Sequence, residues 1–314
     1  MKKLNSLCAS LLVTLAASAQ TATYTNPVIN RSAPDPTVVR ADDGTFYLYS
    51  TEDVTNLPIY SSKNLVNWTF VGTAFTDASR PQWLPEGRIW APCINRVGSQ
   101  YVLYYSKSVW GGEWDAGIGV ATSLSPTGPF TDHGNMFISK GIGIQNCIDP
   151  FYIEDGGRKY LFWGSFHGIY GCELSDDGMS LKAGAKPQQV AGSFMEGTYI
   201  KRRGGYYYLF GSAGTCCDGE RSTYRVTVGR SRSLFGPYVD RQGRPLLDNN
   251  FEVMLHRNQR VIGPGHNAEL VTDAEGSDWL LYHGFSADSP DEGRKVWLDR
   301  VDWVDGWPHV MGSS

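Results

Sequence analysis

The sequence predicts an all-β molecule, a single five-bladed β-propeller. Three observations lead there. One strand-turn-strand pattern recurs five times along the chain. Aromatic residues make up 13% of the sequence and glycine contributes 36 residues, a composition that favours strands joined by tight turns. Apolar and polar residues alternate with the period of two that strands require, and no stretch reads convincingly as a helix.

Each repeat opens on a short apolar strand, passes a glycine turn and returns on an aromatic-rich strand ending in small residues. The first covers residues 35–40, a turn at Gly44 and the strand 45–50. The second pairs 90–96 with 101–106 across Gly98. The third pairs 149–153 with 160–165 across Gly156 and Gly157. The fourth pairs 196–200 with 206–212 across Gly204 and Gly205. The fifth pairs 266–271 with 279–284 across Gly276. A third strand follows each hairpin, closing on Trp68, Phe130, Leu181, Tyr238 and Trp307 in turn. Units of roughly 60 residues, each able to supply a four-stranded sheet, fit radial blades. A lone blade cannot bury both faces, whereas blades packed in a ring bury one another.

In a propeller the innermost strand of each blade lines the central channel. Its first residue then lies near one mouth. Those positions are Asp35, Trp90 or Ala91, Asp149, Glu196 and His266. Three of the five are carboxylic acids. Asp before Pro is also a common turn starter, which by itself would account for Asp35-Pro36 and Asp149-Pro150. Three acids at equivalent places are harder to explain that way, because crowded carboxylates repel one another. Glycoside hydrolysis uses such a set. One carboxylic acid protonates the leaving oxygen, a carboxylate acts on the far side of the sugar, and a neighbouring charge can raise the pKa of the proton donor.

The rest of the chain limits the alternatives. Residues 1–19 read as a signal peptide, with basic Lys2 and Lys3, an apolar run from Leu7 to Ala17 and a small-residue exit at Ala17-Ser18-Ala19. The domain is expected over 20–314, secreted or periplasmic. No later stretch holds the roughly 18 apolar residues of a membrane span. A net charge of -4 argues against nucleic acid, which selects a basic face. Of the 6 cysteines, Cys8 lies in the leader, and the odd remainder cannot all pair within the chain. No spacing suggests zinc. The adjacent Cys216 and Cys217 read equally as a vicinal disulfide or as buried thiols.

From about Asn26 to Pro308 the sequence resembles glycoside hydrolase family 43, whose members are five-bladed propellers with an inverting mechanism. The matching motifs are residues 33–36, 146–150 and 195–197. The resemblance implies Asp35 as general base, Asp149 as modulator of the acid's pKa and orientation, and Glu196 as general acid. Longer stretches, 216–224 with 228–231, 263–267 and 164–169, resemble the endo-acting arabinanases and imply α-1,5-linked L-arabinan as substrate. It further implies a calcium ion on the axis near His266, held mostly through water. A histidine bonded to Asp35 or to sugar is the other reading of His266, since calcium prefers six to eight oxygens. Trp90 is expected to stack on a sugar ring, with Asn146 and Ser165 as hydrogen-bonding contacts. Cys93 and Cys147 depart from the related pattern, which has Asp and Ala there, and the missing Asp bears on the contacts around the mouth. Alternatives are an exo-acting arabinofuranosidase or β-xylosidase, and a propeller that binds carbohydrate or protein without catalysis. A monomer is expected.

Overall fold

The computed structural model describes residues 24–310. The expected leader over 1–19 and its exit at Ala17-Ser18-Ala19 lie outside these residues.

Five antiparallel sheets follow one another in chain order. Blade one holds β1 (Thr37–Arg40), β2 (Phe46–Tyr49), β3 (Pro58–Ser62) and β4 (Thr69–Thr73). Blade two holds β5 (Arg88–Val97), β6 (Gln100–Ser108), β7 (Gly117–Ser123) and β8 (Thr131–Ile138). Blade three holds β9 (Phe151–Asp155), β10 (Arg158–Trp163), β11 (Ile169–Glu173) and β12 (Gln188–Ala191). Blade four holds β13 (Glu196–Arg203), β14 (Tyr206–Ala213), β15 (Arg225–Ser231) and β16 (Glu252–Leu255). Blade five holds β17 (Val261–Gly265), β18 (Val271–Thr272), β19 (Asp278–Ser286), β20 (Lys295–Val304) and β21 (Trp307–Val310). This is the five-bladed propeller. One four-residue helical turn, α1 (Ser139–Ile142), and three single 3-10 turns interrupt the strands.

Blade five departs from the expected pattern. Its inner edge is made of two pieces, β17 and β18, both paired with β19, and His266 lies between them rather than at a strand's start. Trp307, expected to close the third strand, starts the outermost one.

The ring closes by a strap. Ile29 pairs with Val296 of β20, each backbone N–H donating to the other's carbonyl at 3.3 Å. The Tyr24 hydroxyl donates to the Leu298 carbonyl at 2.6 Å, and the Ala33 N–H donates to the Arg294 carbonyl at 2.9 Å. The start of the described chain thus adds to the last blade.

Aromatic side chains fill the gaps between blades. Tyr104 stacks on Tyr152 between blades two and three, with centroids 5.6 Å apart. Phe151 meets Tyr199 edge-on at 5.3 Å between three and four, and Tyr208 meets Trp303 at 4.8 Å between four and five. Such pairs contribute about 0.5–1.5 kcal/mol each beyond the area they bury.

Candidate active site

One residue per blade turns at the channel mouth with a left-handed backbone: Asp35 (φ 54°), Ala91 (φ 39°), Asp149 (φ 60°), Gly197 (φ 62°) and His266 (φ 42°). Each non-glycine residue held there costs on the order of 1–3 kcal/mol. Asp35, Ala91 and Asp149 also precede proline, which disfavours anything but extended backbone. This row corrects the register read from the sequence. Ala91, not Trp90, is equivalent to Asp35 and Asp149. Glu196 sits one residue early, at the place Trp90 takes in blade two, because blade four puts a glycine at the turned position.

A side chain at Gly197 would be crowded by His266. A Cβ there would lie 3.0 Å from Cγ of His266. Its N–H donates to Oδ2 of Asp149 at 3.0 Å, so the backbone beside Glu196 is tied to blade three.

The three acids are buried and meet at one hollow. Asp35 collects donors. The Thr51 hydroxyl donates to Oδ2 at 2.5 Å, and Arg294 donates to Oδ1 at 3.2 Å. Nδ1 of His266 lies 3.3 Å from Oδ1 and Nδ1 of His283 3.1 Å. The Asp35 N–H donates to that same His283 nitrogen at 3.0 Å. Burial alone would raise the Asp35 carboxyl, but Arg294, with His266 and His283, outweighs it and holds the group well below the usual carboxylate range. His283 is itself pushed down to about 4, by burial first and by Arg294 next, so its ring is neutral near pH 7.

Glu196 and Asp149 are driven the other way. Burial raises Glu196 most, opposed by hydrogen bonds from Ser165 to Oε2 at 2.7 Å and from Tyr224 to Oε1 at 2.8 Å. Burial also raises Asp149, with the charges of Glu196 and then Asp35 adding to it. The site therefore sets one carboxyl that is driven toward its ionised form beside a pair driven toward the protonated form. That is the division of labour an acid and a base need within one pocket.

The family model for glycosyl hydrolases family 43 matches residues 24–308. The chain belongs to that family. As a family 43 member it is a glycoside hydrolase. It is 34% identical to the extracellular exo-alpha-(1->5)-L-arabinofuranosidase of Cellvibrio japonicus, across 88% of this chain and 85% of that protein. It is 31% identical to the extracellular endo-alpha-(1->5)-L-arabinanase 1 of Bacillus subtilis, across 96% and 94%. Its fold matches the Cellvibrio cellulosa alpha-L-arabinanase solved with arabinohexaose, with a TM-score of 0.80 at 32% identity over 89% of this chain and 95% of that one.

Around the acids of this family 43 propeller, the other expected residues fall into two groups. Trp90 lines the hollow and meets Trp110 edge-on at 6.5 Å. Asn146 and Ser165 line the adjoining hollow. The Ser165 hydroxyl is bound to Glu196, so here it steadies the acid, and the Asn146 amide donates to the Ser165 carbonyl at 3.3 Å. His266 faces Asp35. Among the described residues no three His, Cys, Asp or Glu side chains form a group that could hold a metal, so a calcium ion beside His266 would draw most of its oxygens from water. Cys93 is buried and lines neither hollow, accepting the Tyr152 N–H instead, so the departure at this position lies beneath the mouth.

Tyr224, His283, Arg294 and Thr51 were not anticipated as site residues. Tyr224 lay inside a motif already singled out, and His283 lies within a repeat strand. Gly265 explains how Tyr224 reaches the acid, since a Cβ on it would sit 2.1 Å from the Tyr224 ring. Arg294 carries no local signal, because its partner Asp35 is 259 residues away.

Proposed function

We propose that the enzyme hydrolyses α-1,5-linked L-arabinan by a single displacement and cuts within the chain. Asp35 takes the proton of a water molecule as that water attacks the anomeric carbon. The bond to the leaving sugar breaks, and Glu196 gives its proton to the departing oxygen. Asp149 acts on the acid, through its charge and through its hold on Gly197. Arabinan as substrate is supported by the names of the relatives and by the arabinohexaose-bound neighbour.

Internal cleavage is supported by one observation. The cavity extends to both sides of Glu196, as two hollows of about 470 and 400 Å³ that share Trp90, Trp110, Glu196 and the Cys216–Cys217 pair. One runs toward Asp53, Glu86 and Arg88, the other toward Glu113, Phe166 and Asp218. A chain can then lie across the acids with sugars on either side. The enzyme is proposed to act outside the cell or in the periplasm as a monomer, and calcium enters as an ion beside His266 held largely by water.

Product analysis on linear arabinan tests this reading. A ladder of oligosaccharides at early times is expected, with slower cleavage after EDTA treatment that calcium restores. Arabinose alone from the first minutes would show exo action, and no product at all would remove arabinan as substrate. Full activity in EDTA would remove the ion.

A further inference from the structure

The loop between β14 and β15 carries a feature that the acid-base chemistry leaves unused. Cys216 and Cys217 are joined to each other, whereas Cys93, Cys147 and Cys172 are free and buried. The bonded pair stands in the groove wall. Cys216 is half-buried, Cys217 is exposed, and both line each of the two hollows beside Glu196. The loop is pinned at its base, where the Thr215 N–H donates to the Thr223 hydroxyl at 3.1 Å and the Thr223 N–H donates to that of Thr215 at 3.2 Å. The Ser222 hydroxyl adds a bond to the Thr215 carbonyl at 2.6 Å.

We propose that the Cys216–Cys217 disulfide is an apolar platform for a pentose ring on the leaving-group side of the scissile bond. This rests on the arabinan reading above. Divalent sulfur is polarisable and weakly hydrated, so a bonded pair offers the C–H face of a sugar an apolar surface to cover. Closing a ring between adjacent residues removes the rotamers of both side chains, so binding against it costs little ordering. Two free thiols would keep the sulfur but lose the rigid fused surface, and two serines would offer neither. The pair lines both hollows, and the side proposed is that of the second. The second hollow retains Glu196, the proposed proton donor to the leaving oxygen, but is not lined by Asp35 or Asp149. Trp90 and Trp110 line it too, and Trp110 is 82% exposed, leaving an indole available for the same chain.

The test compares the oxidised enzyme with the same enzyme reduced by a phosphine and with Cys216→Ser/Cys217→Ser, on arabinotriose through arabinohexaose. The phosphine takes up oxygen from water as the S–S bond becomes two thiols, and the buried cysteines hold no disulfide to break. An interaction made equally in the ground and transition states shows in KM. Reduction should raise KM by about tenfold, the effect of removing one small apolar group from a binding pocket, with kcat changed less than about threefold and KM restored on reoxidation. The double variant, which lacks the sulfur as well, should raise KM at least as much. If it does not fold, the reversible change in the native protein decides alone. An unchanged KM on reduction overturns the platform. So does a collapse of kcat at constant KM, which would place the pair's effect on Glu196 through Tyr224. An oxidised enzyme that leaves these oligosaccharides uncut overturns the arabinan reading and the platform's sugar with it, whereas equal cleavage in both states overturns the platform only.

Discussion

Asp35 and Glu196 face opposite electrostatic surroundings within one pocket, and Arg294 is the strongest influence that favours the Asp35 carboxylate. On the proposed mechanism, activity requires Asp35 ionised and Glu196 protonated, so the rate should climb as pH rises through the first pKa and fall as it passes the second. Arg294→Gln removes a cation that favours the Asp35 carboxylate. The Asp35 pKa then rises, and the ascending limb of kcat/KM against pH should move up by about one to two pH units. An ascending limb that stays in place would show that Arg294 does not control the base. Glu196→Gln should reduce kcat by several orders of magnitude at every pH while the protein still binds arabinohexaose, as calorimetry would report. Near-normal turnover would remove Glu196 as the acid. The clustering of the acids was legible in the sequence, because Asp35 and Asp149 repeat one position and Glu196 stands beside its equivalent, Gly197. Arg294 and Thr51 were not, since each is defined by a partner on another blade or strand and by no motif of its own.

At the scale of the element, the turned row at the mouth is what aims the side chains. A left-handed residue at the head of an inner strand re-directs the chain, and in three blades the next residue is proline. Glu196 stands one place earlier, and Gly197 takes the turn for it. Gly197→Ala would put a methyl against His266 and strain a φ of 62°. The expected cost is about 1–2 kcal/mol of stability, read by thermal unfolding. The larger effect should fall on kcat, by about a hundredfold, because the Asp149 contact and the aim of Glu196 shift together. Equal losses of stability and activity across several unrelated surface variants would deny it any special place. The sequence showed the periodicity of these strands well and their first residues less well. A shift of one residue leaves the alternation of the hairpin intact while exchanging Trp90 for Ala91. Blade five was misread for a related reason: β17 and β18 together form one broken inner edge, and the pattern beginning at His266 displays only the second half.

For the whole molecule, five similar sheets need a ring, and a ring built from one chain needs a seam. The number of blades was readable from the repeat. The seam was not, because the segment from Tyr24 to Ala33 resembles no blade strand and acquires meaning only through Val296 and Leu298. Deleting residues 24–29 would remove the Ile29 pairing, the Tyr24 hydrogen bond and the packing of Tyr24 against Trp279. At about 1 kcal/mol per hydrogen bond and more for the buried side chains, the loss should be about 3–5 kcal/mol, with Tm lowered by roughly 10 °C. An unchanged Tm would mean that the blades hold the circle without the strap.

The strap also reaches the chemistry. Ala33 holds the backbone of Arg294, and Arg294 holds Asp35, two residues after Ala33 itself. The proposed base is therefore tuned by an arginine from the far end of the chain, delivered through the same stretch of backbone that completes the circle. During synthesis the three acids are all present once Glu196 has been made, yet Asp35 still lacks Arg294, the cation that most favours its ionised form, and the two histidines that surround it. A growing chain is consequently expected to be a poor enzyme until its last blade docks, which would make turnover a report that the ring has shut. Two separately made halves, split in a loop between blades, would turn that property into an assay for assembly: arabinan cleavage would appear only when the fragments meet.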